Sequence, residues 1–181
     1  MILLLTGALD MKLQKGFSLL EILIYVAIIS VITLTIGTVF VSLNRGQSKV
    51  DVKNEVNSNV LFALEKLKQD FLAATAVTVP ASAGATSTTL GLTISSSTTT
   101  YCVITGRLRR ATSGAACDAS AQAVTSDKVI VDSLNFIRLE NTNTVLSKTV
   151  VSVQTTITAS FNSVSPDQQY TETKQTTSSL R

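Results

Sequence analysis

The sequence has no histidine, only two cysteines and only two prolines in 181 residues, and charged residues make up 15% of it. Without histidine, neither a Ser-His-Asp nor a Cys-His mechanism is available, and a zinc or haem site has little to build on. Carboxylate chemistry remains open to any chain with acids, but no paired acids mark a site here. The charged fraction falls below the roughly 25% usual for globular proteins. The balance of 15 Lys+Arg against 12 Asp+Glu gives +3, too mild to demand a nucleic-acid partner. A length of 181 residues leaves room for about one domain. These scarcities point away from an enzyme, with no catalytic residues, metal or cofactor expected.

What is abundant is apolar surface, in one place. Mean hydropathy is +0.35 although the second half is rich in Ser and Thr. Residues 17–43 account for it: they contain no Lys, Arg, Asp or Pro, and one charge, Glu21. As a helix they cover about 40 Å, more than the ~30 Å hydrocarbon core requires. The block reads as a membrane-spanning segment. A cleaved secretory signal fits less well, since the run is about twice a typical apolar core and no small-x-small site closes it. A plain single-span anchor leaves Glu21 unexplained, because an unpaired carboxylate in hydrocarbon costs several kcal/mol. The positive end of the helix offsets part of this cost, and a charged partner would offset more.

Just before the block stands Lys15-Gly16-Phe17-Ser18-Leu19-Leu20-Glu21. This arrangement, in register with some twenty apolar residues, resembles the processing signal of type IV pilins and type II secretion pseudopilins. The resemblance implies cleavage by a prepilin peptidase between Gly16 and Phe17, N-methylation of Phe17, and a role for Glu21 in subunit assembly. A side-chain-free Gly16 leaves the scissile bond accessible. In a bundle of such helices the Glu21 carboxylate can neutralise the new Phe17 amine of an adjacent subunit, and desolvation makes that pairing strong. The stretch 1–10 is apolar where this family has short polar leaders, so Met11 is the expected true start of the 1–16 leader. Lys12 and Lys15 flank one end of the span and Arg45, Lys49 and Lys53 the other, so charge alone leaves orientation open. The resemblance puts the C-terminal part outside the inner membrane, in a periplasmic or cell-surface filament. It implies as partners the peptidase, other pilin or pseudopilin subunits and an inner-membrane assembly platform, but no nucleic acid.

Beyond the span, Val56, Val60, Leu64, Leu67 and Phe71 recur at helical spacing, with Glu55, Asn59, Lys66 and Asp70 on other faces. No proline interrupts residues 17–79, so one helix to about Leu72 is expected, 17–43 in the membrane and 44–74 as an amphipathic stem. Major pilins usually carry a kinking proline near the membrane exit; here Gly37, among Thr33, Thr35 and Thr38, is a place where the turn can loosen. That difference favours a minor pilin or pseudopilin. Residues 75–181 form the Ser/Thr-rich extracytoplasmic part. Within it, 75–100 read as linker and short strand, and strand patterns follow at 88–94, 99–104, 128–131, 134–140 and 149–161. Residues 170–181 read as an edge strand or a loose tail. The expected fold is α+β, a long helix on a small antiparallel sheet with one wet face. In an exported domain Cys102 and Cys117 are expected to pair, two free thiols being the alternative; their spacing excludes a CxxC redox motif. Arg107, Arg109 and Arg110 read as a solvated hairpin tip, with a DNA-contacting patch as the sharper alternative. The competing functional class is a single-span envelope protein with an adhesive or sensing β domain.

Overall fold

The computed structural model describes residues 16–145 and 147–180. The leader through Lys15, with Met11 and Lys12, and the terminal Arg181 lie outside the described residues. Two compact units emerge, one up to Asn44 and one from Arg45 onward.

The described part of the first unit is helical from Leu19 onward. Helix α1 (Leu19–Ala73) runs without a break through Gly37. The turn expected to loosen there is regular, and the hydroxyls around it bond to carbonyls of their own helix. Thr33 donates to the Ile29 carbonyl at 2.8 Å, Thr35 to those of Val31 and Ile32, and Thr38 to that of Thr35. Ser30 donates likewise to Val26 at 2.7 Å. The hydroxyls of Ser30, Thr33, Thr35 and Thr38 are thus satisfied on their own helix, which lowers their cost in a nonpolar medium.

The second unit takes the remainder of α1 and all the strands, giving the α+β fold that the residue patterns lead one to expect. Nine strands follow among the described residues: β1 (Ala76–Val79), β2 (Thr86–Ser87), β3 (Leu90–Ile94), β4 (Ser97–Ile104), β5 (Arg107–Ala111), β6 (Gln122–Ala123), β7 (Val129–Asn143), β8 (Lys148–Phe161) and β9 (Thr171–Ser179). They form two antiparallel sheets rather than one, ordered β1-β3-β4-β5-β6 and β2-β7-β8-β9. The helix stripe Val56, Val60, Leu64, Leu67 and Phe71 is buried against both, with Leu90, Leu92, Tyr101 and Leu108 from the first sheet. Val131, Phe136, Val153 and Ile157 of the second sheet complete the same core.

Two details depart from the sequence expectation, and a third decides between its alternatives. The patterns at 128–131 and 134–140 belong to one strand, β7, in which Asp132 is extra: Val131 faces Ala159 and Ser133 faces Thr158. This bulge restores the phase, so Val129, Val131, Leu134 and Phe136 all point into the core despite their irregular spacing. The hydroxyl-rich stretch at 95–100 is a hairpin rather than linker. Ser95 and Ser96 form its turn at φ 49° and 67°, and residues 97–100 open β4. Threonine suits such a half-exposed strand. Residues 171–179 pair with β8 as an edge strand, deciding between strand and tail. At the β1 edge of the other sheet, Gly91 allows β1 to approach β3, since a Cβ there would collide with the Thr78 hydroxyl.

Candidate functional site: an uncovered apolar helix with one acid

The N-terminal residues named in the sequence lie together at the start of α1. Gly16, Phe17 and Ser18 are non-helical, and the Ser18 carbonyl accepts the first helical bonds from the amides of Glu21 (3.0 Å) and Ile22 (3.2 Å). Glu21 therefore stands in the first turn, where the exposed amide ends favour a carboxylate. Gly16 has open space around it, so the bond to Phe17 is sterically accessible. Phe17 is 73% exposed and Leu19 80%.

From Phe17 to Leu43 every residue is exposed, and apolar side chains ring the helix on all sides. The helix is long and apolar enough to cross a membrane by length and composition. Eighteen uncovered large apolar side chains in water would cost far more than a domain of this size can balance, at about 25 cal/mol per Å². A helix apolar on every face belongs in lipid or inside a helical bundle. Among the described residues of this segment Glu21 alone is charged, and no partner for it lies among the described residues of the chain.

The second unit brings together residues the sequence did not associate. Asp70, placed by its spacing on another face than the stripe, is buried at 6% exposure. Its Oδ2 accepts from the Tyr101 hydroxyl and from Arg110 Nε, each at 2.6 Å, and Oδ1 accepts from Arg110 Nη2 at 3.1 Å. Tyr101 and Arg110 are directly opposed on β4 and β5, so one carboxylate locks the helix to a cross-strand pair. Burial, then the hydrogen bond to Asp70 and its charge, push the Tyr101 phenol far above its ordinary value. The bond from Asp70 raises the already basic Arg110 further. Glu55 and Asn59 are likewise engaged, through Ser126: its amide donates to Asn59 Oδ1 at 2.8 Å and its hydroxyl to Glu55 Oε1 at 3.2 Å.

The three arginines are not a hairpin tip. They occupy β5 itself, and the turn before it is Thr105-Gly106. Arg110 is bound by Asp70, Arg109 Nη1 donates to the Ala119 and Ala121 carbonyls, and Arg107 lies 3.8 Å from Asp127. Their charge is spent within the domain rather than presented as a patch. Cys102 and Cys117 are joined by a disulfide, with Cα atoms 6.2 Å apart, tying β4 to the loop after β5. No group of three or more metal-ligating side chains occurs among the described residues.

Comparison with known proteins bears on the N-terminal end. Residues 11–41 match the family described as the prokaryotic N-terminal methylation motif. No curated protein and no solved structure matches the chain. The matched stretch spans Gly16, Phe17, Glu21 and most of the uncovered apolar helix. Residues 11–41 of this chain thus carry the prokaryotic N-terminal methylation motif.

Proposed function

We propose that this chain is a structural subunit, a minor pilin or pseudopilin, that enters a type IV pilus, type II secretion or competence filament through its N-terminal helix. Its role is architectural rather than catalytic. Prepilin peptidase cuts between Gly16 and Phe17 and methylates Phe17, leaving the apolar helix on the mature protein. The new amine lies one turn from Glu21 in sequence, and in a bundle of subunits each Glu21 neutralises the amine of a neighbour. Desolvation makes that pair strong and makes a misaligned, unpaired carboxylate costly, so one acid both attracts and sets register. The observation that carries this reading is the helix ringed by apolar side chains with Glu21 as its single charge. The Cys102–Cys117 bridge supports an oxidising location for the β-rich part, outside the cytoplasmic membrane.

Two substitutions test the reading separately. Gly16→Leu should leave the precursor unprocessed, seen as slower migration on a gel; unchanged mobility would favour a plain single-span anchor with an adhesive or sensing domain. Glu21→Gln should be processed normally yet fail to enter filaments. Normal incorporation would remove the pairing mechanism while leaving the processing intact.

A further inference from the structure

A cleft of about 320 Å³ opens within the second unit, beside the start of the stem. Lys49, Val50 and Lys53 line it from α1, and Pro166, Asp167 and Tyr170 line it from the segment around the 3-10 turn Pro166–Gln168. The turn is fastened to the helix: Gln168 Nε2 donates to Ser48 Oγ at 3.3 Å, and Ser163 Oγ donates to Gln168 Oε1 at 2.8 Å. Lys49 and Lys53, one turn apart on one face, have neither an ion pair nor a hydrogen bond among the described residues. The acid in the cleft, Asp167, is faced by Arg45 at 3.9 Å, so that pair is neutral and the two lysines supply the excess charge. The Tyr170 hydroxyl is turned toward Glu172. Asp51, two residues from either lysine, lies on another side of the helix.

Position gives this cleft its meaning. Lys49 and Lys53 follow Leu43, the last residue of the apolar run, by six and ten residues, about 9 and 15 Å of helical rise. Lipid headgroups begin where an apolar span ends, and lysine stems extend toward them. Lysines just beyond a membrane span are placed to attract anionic headgroups. We infer that the cleft between Lys49, Lys53 and the Pro166–Gln168 turn binds the headgroup of an anionic phospholipid, steadying the stem at the membrane surface. The inference rests on the membrane-anchored reading above.

The test uses the full chain reconstituted in nanodiscs of mixed phosphatidylglycerol and phosphatidylcholine, with retained lipid read by native mass spectrometry. Phosphatidylglycerol should be retained preferentially, and Lys49→Gln with Lys53→Gln should cut the preference by about fivefold per lysine, equivalent to about 1 kcal/mol each. Asp167→Asn should raise it. The charge-matched control Lys128→Gln with Lys148→Gln, remote from the cleft in sequence and not lining it, should leave it unchanged. Equal retention of both lipids, or a preference indifferent to Lys49 and Lys53, overturns the inference while the anchored reading stands. A chain that does not enter bilayers overturns both. If inorganic phosphate alone shields Lys49 and Lys53 from acylation in lipid-free detergent, and phosphatidylglycerol adds nothing, the lipid assignment is wrong.

Discussion

Replacing Asp70 by asparagine keeps the shape of the side chain and removes its charge, leaving Arg110 as an uncompensated cation. The Arg110 side chain is 18% exposed and that of Asp70 9%, so solvent offers the stranded guanidinium little relief. Breaking one partner of a buried pair costs about 3–5 kcal/mol. Partial access at Arg110 argues for the lower end, about 3 kcal/mol. At about 2–4 °C per kcal/mol for a chain of this size, the β-rich unit should melt about 6–12 °C lower. The assay is thermal unfolding of the full chain in detergent, followed by the sheet signal in circular dichroism. The same reasoning makes Tyr101→Phe milder, since it removes one hydrogen bond to a charged group, worth about 1.5–3 kcal/mol at most, and leaves the ion pair. Replacing all three partners together, Asp70→Leu, Arg110→Met and Tyr101→Phe, should recover much of the loss, because no buried polar group is then stranded. A drop below about 1 kcal/mol for Asp70→Asn, or a triple variant as damaged as the single one, would refute the view that this carboxylate fastens helix to sheet.

Alkaline pH should weaken the same contact. The folded state holds the Tyr101 proton beyond the pH near 10 where the unfolded chain releases it, so the native state binds more protons there and stability falls as pH rises above 10. The slope attributable to this group is at most about 1.4 kcal/mol per pH unit, and urea midpoints at pH 9 and 11 should converge in Tyr101→Phe relative to the parent. Tyr170, also raised by its bond to Glu172, adds a contribution of the same sign that Tyr101→Phe leaves in place. Reducing the Cys102–Cys117 bridge, whose partners are 15 residues apart, should cost about 3 kcal/mol and lower the urea midpoint without disturbing processing at Gly16. An unchanged midpoint in reductant would show that the loop after β5 is ordered without it.

What could be read from the residues alone follows from how local each signal is. The helix stripe from Val56 to Phe71 and the acid at Glu21 are visible because period and register are carried by neighbouring residues. The same locality hides Asp70: a charged residue next to a stripe reads as solvent-facing until Tyr101 and Arg110 arrive from strands thirty to forty positions later. Asp132 hides the continuity of β7, since a bulge looks in sequence like an end of alternation. Ser and Thr serve equally in linkers, turns and exposed strands, so the run at 95–100 did not disclose its hairpin. The division into two sheets was illegible for the same reason, because it depends on which long-range strand pairs form. The basic cluster on β5 misled because sequence shows charge without showing the carbonyls and carboxylates that receive it.

Intact-mass and N-terminal peptide analysis of the protein purified from its native membrane tests the central claim most directly. The account predicts a chain that begins at Phe17, carries one added methyl group on its amine, and retains the whole apolar helix. A chain that still carries Gly16, or one whose helix has been removed, would contradict it.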